Sequence, residues 1–308
     1  MSFIQGEQIY RLIKLFKERE VQFYHACQYK DFKTYLQLSG VPSRQLMQAS
    51  GLPYTPFDTD DVDQKNGVWD KVFGNLSDFG WSFAQGRRNE NTAPTPNPYG
   101  PVLLVFNPEA FAEIIDIAIC LRSAGADNFN RDGESLGSVE EIDRIFKHNL
   151  DDAPNNYAKA YIKFSQALQQ EFNNPQAMSP EVSCTVSNER ISFRHLSKII
   201  VDPYQINNQI LIAKVRQLKQ KFRLNGVVWE RRYSQGRREV KQEFANLLIE
   251  KNITVDEVIN DNQASQDLKD WASRIKKGGN KTITAYNRFS QYLRSGTILE
   301  LFNDIDNL

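Results

Sequence analysis

Short runs of β-branched and aromatic residues recur through the first two thirds of the chain, at residues 21–24, 72–76, 102–106, 117–121, 182–186 and 199–201. Runs of this length, bounded by turn residues, predict strands. Helical patterns lie between them, so this part reads as an α+β or α/β domain. The pattern opens with a helix over residues 6–20, where Ile9, Leu12, Ile13 and Phe16 share one face. Glu7/Arg11 and Lys14/Glu18 stand four apart on its other face, the spacing of helical ion pairs. This helix is expected to brace the domain from its N-terminal side. Near residue 205 the period changes. Ile212, Val215, Leu218 and Phe222 recur at helical spacing, followed by Val240, Phe244, Leu247 and Leu248. Leu268, Trp271 and Ile275 continue the pattern, then Tyr286, Phe289, Tyr292 and Leu293, with no good strand among them. Two domains are therefore expected, residues 1–205 and an all-helical 206–308. Loop-rich stretches at 51–67 and 85–100 interrupt the first.

Composition adds boundaries. The chain has 308 residues, 40% of them hydrophobic, enough for a packed core. No apolar stretch approaches the ~20 residues of a membrane span, and the N-terminus lacks a signal pattern, so the protein is expected in the cytosol with no membrane partner. Cys27, Cys120 and Cys184 are few, odd in number and far apart, which points to neither a disulfide framework nor a metal site. Lys and Arg number 38, as do Asp and Glu, so any attraction to nucleic acid must be local. Residues 214–241 supply such a patch. Ten cations, at 214, 216, 219, 221, 223, 231, 232, 237, 238 and 241, face only Glu230 and Glu239, with Phe222, Trp229 and Tyr233 interleaved. Arg231, Arg232, Arg237 and Arg238 are the candidate phosphate contacts. A solvated helix face or a protein-docking surface fits the same residues.

Several segments can carry chemistry, each with a plainer alternative. His25 ends a predicted strand, where its ring nitrogens suit a ribose or phosphate or, equally, a hydrogen bond within the core. Asp31 is expected to cap a helix that stops at Gly40, and Ser43-Arg44 follow the turn. That hydroxyl and guanidinium suit a pyrophosphate, while Ser43 also fits as the N-cap of a helix over 44–49. At 73–81 two glycines, Asn75, Ser77 and the rings of Phe73, Phe79 and Trp81 can bring backbone and an aromatic face to a flat ligand, or form a bulge with core aromatics. Arg122 stands in a polar loop and reads as a phosphate contact or a solvated side chain. Glu181 opens an alternating strand, where a carboxylate can bind a ribose hydroxyl and stabilise positive charge at C1′, or lie on the surface.

The order of these segments resembles the DarT-type ADP-ribosyltransferases, the toxin halves of bacterial toxin–antitoxin and phage-defence systems. The likeness runs over residues 23–203, through FYHA, GVPSR, GPVLLVFNPEAF, AICLRSAGADNFNRDGESL, PEVSC and KIIVDP. It implies an α+β transferase with a split sheet that binds NAD, as co-substrate, between its two parts. His25, Ser43, Arg44, Asn75, Ser77 and Phe79 would then contact NAD, with Glu181 as the catalytic glutamate. The family also uses an arginine from a PRSP-like run, which is replaced here by NLSDFG, leaving Arg44 and Arg122 as candidates. Ser179 occupies a position two before the glutamate where the family often has Gln or Glu. The resemblance implies mono-ADP-ribosylation of a base in single-stranded DNA or RNA and a neutralising antitoxin protein. An acceptor that is a protein or small molecule, and a non-catalytic binding module, remain alternatives.

Overall fold

The computed structural model describes residues 3–57, 60–78, 100–123, 129, 134–146, 165–175, 177, 180–202, 205–206, 209–231, 255–260, 262 and 266–277. Strand β1 (Ile4–Gln5) leads into α1 (Glu7–Glu18), β2 (Phe23–Cys27), α2 (Tyr29–Leu38), β3 (Gly40–Pro42), α3 (Arg44–Ser50) and α4 (Asp60–Lys65). Next come β4 (Val72–Asn75), β5 (Val102–Phe106), a 3-10 turn (Pro108–Glu113), β6 (Ile114–Cys120), β7 (Ser135–Leu136), α5 (Val139–Asp143) and α6 (Ser165–Glu171). The chain continues through β8 (Glu181–Val186), β9 (Arg190–Ser192), a second 3-10 turn (Phe193–His195), β10 (Leu196–Val201), β11 (Gln205–Ile206) and β12 (Gln209–Ile210). Helix α7 (Leu211–Lys221), β13 (Val227–Glu230), α8 (Val255–Asn260) and α9 (Gln266–Lys277) follow.

The chain is an α+β protein around a central sheet in the order β1-β6-β8-β4-β2-β5-β10-β13, with β7 beside β6. All these pairs are antiparallel except β10 with β13. The sheet narrows at one place. Strands β2 and β4 share a single residue pair, Tyr24 with Asn75, whereas β2 meets β5 over five. The two halves thus meet on one rung of a continuous sheet.

Alternation sorts the side chains. Phe23, Cys27, Val102, Leu104 and Phe106 join the main core, while Tyr24, Leu103 and Val105 form a small cluster on the opposite face. Helix α1 buries Ile9, Leu12 and Phe16, and the Phe16 ring lies 4.7 Å from that of Phe111. The brace is present, and Lys14–Glu18 pair at 4.0 Å, but Arg11 turns to Glu140 instead of Glu7. Gly74 is required for the narrow junction: a Cβ there would stand 2.3 Å from the Phe23 ring and 2.7 Å from the Tyr24 carbonyl.

Two expectations are corrected here. Asp31 does not cap α2, because Gln28 holds the N-cap position and Asp31 lies inside the first turn, buried, accepting the Thr55 N–H at 2.7 Å. A carboxylate that receives a tertiary backbone donor is no longer available to its own helix. The chain after residue 205 is not all helical either. Residues 227–230 pair with β10 as a parallel strand, and α7 buries Leu211, Ile212, Val215 and Leu218 in the main core. Sheet pairing, a long-range contact, overrides the weak local pattern of VVWE. Among the described residues no helix is long and apolar enough to cross a membrane.

Candidate functional site at the sheet junction

The junction assembles the residues that the sequence kept far apart. Asn75 pairs with Tyr24 on one side and with Glu181 on the other, and Glu181 pairs in turn with Cys120. The backbones beside His25 and at Glu181 are therefore two strand spacings apart, about 10 Å. Asn75 also reaches across with its side chain, donating from Nδ2 to the Pro180 carbonyl at 3.4 Å, just ahead of Glu181. Glu181 itself is half-buried at the start of β8.

His25 sits in the split. Where the strands part beyond the Tyr24 rung, its Nδ1 lies 2.7 Å from the Phe73 carbonyl and its Nε2 3.1 Å from the Tyr35 hydroxyl. The carbonyl can only accept, so Nδ1 carries the proton and donates, and bare Nε2 accepts from Tyr35. Burial pushes the ring's pKa down to about 4, the Phe73 hydrogen bond opposing this and Arg44 adding to it. The imidazole is neutral at pH 7. Alternation along β2 places Tyr24, and not His25, in the row of Glu181. His25 fills the gap between the halves from the side of α2.

Ser43 is fully buried and accepts the Leu46 N–H at 3.1 Å as the N-cap of α3, the plainer of its two readings. Arg44 is tied down. Its Nη2 donates to Asp60 Oδ2 at 2.5 Å and to the Thr55 carbonyl at 2.9 Å, and the guanidinium lies over the rings of Tyr54, Phe57 and Trp69 at 4.9 to 5.6 Å. Asp31 and Arg44 thus converge on Thr55, and each keeps a buried atom without a hydrogen-bond partner, Oδ2 and Nε, as Gln28 does at Nε2. Burial raises the Asp31 carboxyl to about 6 against the pull of the Thr55 N–H and Arg44.

Arg122 lies two residues beyond Cys120, alongside the approach to Glu181. It forms a buried two-pronged pair with Glu134, with Nη2 to Oε1 at 2.9 Å and Nε to the other oxygen. Ser77 is buried just after the junction strand. Phe79, Ser179, Arg232, Arg237 and Arg238 lie outside the described residues.

Comparison with solved structures returns Thermus sp. 2.9 DarT in complex with NAD+, at 12% identity over 70% of this chain and 98% of that one, with a TM-score of 0.37. A second similar structure is Thermus sp. 2.9 DarT in complex with ADP-ribosylated ssDNA, at 12% identity over 76% and 100% of the chains and a TM-score of 0.39. No family model matches the chain, and no curated protein matches it. A functional reading therefore rests on the site's own residues.

One expected contact is overturned. Arg231 is not a free phosphate ligand, because its side chain is 6% exposed and clasped by two carboxylates. Nη1 and Nη2 meet Asp78 at 2.8 and 3.1 Å, and Nε meets Asp202 at 2.8 Å. The end of β13 is thereby pinned to the segment following Asn75 and Ser77. Sequence reasoning passed over Asp78, Asp202, Glu134 and Tyr35. A lone Asp or Tyr carries no pattern that reveals a partner on a distant strand.

Proposed function

We propose that the chain is an NAD-dependent mono-ADP-ribosyltransferase that modifies a base in single-stranded nucleic acid. The observation that carries this reading is the pairing of Asn75 with both Tyr24 and Glu181, which brings the histidine segment and the glutamate strand to one split in the sheet. The residues there fit a dinucleotide. Buried Gln28, Asp31 and Arg44 retain unused donor and acceptor atoms of the kind an amide or a ribose hydroxyl requires. His25, neutral and fixed in orientation, gives the split a rigid wall.

Cleaving the nicotinamide–ribose bond passes through an oxocarbenium-like state, with nicotinamide leaving as a neutral molecule with the bonding electron pair. The Glu181 carboxylate stabilises the positive charge at C1′. A ring nitrogen or amino group of the base then attacks C1′, and Glu181 takes the proton it releases. Arg122, presented beside the approach to Glu181, is the arginine assigned to orient the acceptor, with Glu134 holding its guanidinium in plane. Arg44 is assigned to the NAD side, where its partners already fix it. A role as a toxin held in check by an antitoxin protein follows from such an activity.

The deciding experiment incubates the protein with NAD labelled in its ADP-ribose part and separate pools of single-stranded DNA, RNA and protein. Label on DNA or RNA, lost in E181Q, is the expected result. Label on protein alone overturns the acceptor, and NAD turnover unchanged in E181Q overturns the site.

A further inference from the structure

We propose that the segment leading from α3 into α4 is an autoinhibitory strap, which fills the Arg44 end of the proposed NAD site and lifts when NAD binds. This rests on the proposed function, from which it takes Arg44 as a contact on the NAD side. Residues 52–57 are anchored to α2 and α3 by polar groups. Thr34 Oγ1 donates to the Pro53 carbonyl, the Thr55 N–H to Asp31 Oδ1 at 2.7 Å, and Arg44 Nη2 to the Thr55 carbonyl at 2.9 Å. Asp60 completes the closure. Its Oδ2 accepts from the same Nη2 at 2.5 Å and from the Phe57 N–H at 3.0 Å.

Apolar burial adds little to these anchors. Among the described residues from 51 to 67 Thr55 alone is buried, and the rings of Tyr54 and Phe57 lie half-buried against the Arg44 guanidinium. A segment with so few buried apolar contacts opens well below the free energy of global unfolding. The closed arrangement also leaves polar atoms unused. Among the described residues, Asp31 Oδ2, Arg44 Nε, Thr55 Oγ1 and, one helical turn before Asp31, Gln28 Nε2 are buried without a hydrogen-bond partner. Unpaired buried polar atoms disfavour the closed strap, and lifting Thr55 away returns them to water or to a ligand.

The strap competes for the groups that a dinucleotide needs. Both hydrogens of Arg44 Nη2 are committed to it, one to Asp60 and one to Thr55, so the partners that fix Arg44 in the closed state are the strap's own. A phosphate gains that edge of the guanidinium only by replacing the Asp60 carboxylate. One anion then stands in for another and the guanidinium stays paired, while Asp31 Oδ1 exchanges the Thr55 N–H for another donor. Arg44 is near enough to His25 for its charge to help lower the pKa of the ring, which ties the strap to the split in the sheet. A site that must open first binds more weakly in proportion to the fraction open, so the strap sets the NAD concentration at which the site fills.

The test measures NAD binding to the full chain by calorimetry, together with hydrogen exchange over residues 52–57. D60N keeps the size of the side chain but loosens the closure, and should bind NAD roughly 5- to 30-fold more tightly. F57A changes no charge and removes one ring from Arg44, and should tighten binding about 2- to 5-fold. Thermal unfolding checks that the variants fold, and either one decides if the other does not. In the parent chain, saturating NAD should speed exchange at Thr55 and Phe57, whose amides the closed strap protects. NAD affinity unchanged or weakened in either folded variant, or exchange at these amides slowed by NAD, overturns the strap. Unchanged affinity in D60N with label transfer that E181Q abolishes removes the strap and keeps the transferase. Tighter NAD binding in D60N with no transfer to any acceptor pool keeps the strap and removes the transferase, and no NAD binding in any of the chains overturns both.

Discussion

The two halves of the sheet treat their polar groups in opposite ways. On the β2 side, His25 and Asp31 are driven toward their neutral forms by burial and are locked by Phe73, Tyr35 and Thr55. On the β8 side charges persist, and they are paired. Lys71 Nζ meets Asp116 Oδ1 at 3.1 Å and also bonds Thr185, Arg122 clasps Glu134, and Glu181 remains half-buried at the rim. The β2 half also holds paired charges, Arg44 with Asp60 and Arg231 with Asp78 and Asp202, but the half-buried carboxylate at the junction is Glu181, on β8. In the proposed reaction, positive charge developing at C1′ is stabilised by Glu181, on the second half.

The largest expected break in this contrast is at Glu181. E181Q keeps the size of the side chain but removes its charge, and transfer from labelled NAD should fall by about 100- to 1000-fold or more. The second break is the clasp that ties the β13 edge to the junction. R231M strands the carboxylates of Asp78 and Asp202 in the interior and should cost roughly 3–5 kcal/mol in denaturant unfolding. Adding D78N and D202N to it should recover much of the loss. A stable R231M that instead loses only DNA affinity would return Arg231 to the phosphate-binding role.

Smaller changes sharpen the comparison. G74A drives a methyl group into the Phe23 ring and the Tyr24 carbonyl at the single rung between the halves, and should destabilise by about 1–3 kcal/mol. The smallest effect is a dependence on pH. His25 titrates lower in the fold than the ordinary 6.5, near 4, so the unfolded chain binds the extra proton and stability falls as pH drops from 6.5 toward 4. Asp31 titrates higher than 3.8, near 6, so its contribution falls as pH rises through that same window. The two slopes oppose each other. Relative to the parent chain, H25Q should lose stability with rising pH between 4 and 6 and D31N should gain it, each by at most about 1.4 kcal/mol per pH unit. Unfolding curves at four or five pH values check both, and parallel curves would show that burial does not shift these groups.

Much of the molecule is legible in the chain because it is local. The strand at 102–106 is five apolar residues in a row, buried on both faces, and its bounds match the expectation. Ser43 reads as an N-cap because capping needs only the next few residues. By contrast, Gly40 looked like a helix stop. The left-handed cap is Ser39, and Gly40 is there to let the Ile191 carbonyl approach to where a Cβ would stand 2.4 Å away. Arg231 looked like part of a solvated basic run because the run is a local fact, while its two carboxylates arrive from segments elsewhere in the chain, just beyond β4 and β10.

The sequence by itself determined the six main strands before residue 205, the brace helix, the cap at Ser43 and the glutamate that opens a strand, whereas β2 runs on past His25 to Cys27. These follow from side-chain period and from hydrogen bonds a few residues long. Only the tertiary structure decided that Asn75 stands between Tyr24 and Glu181, that His25 wedges the split as a neutral ring, and which arginines are bound by carboxylates and which face solvent. Register and burial are properties of strands brought together from distant parts of the chain. The charge of a side chain is written in its identity, but its partner is written in the pairing of the sheet.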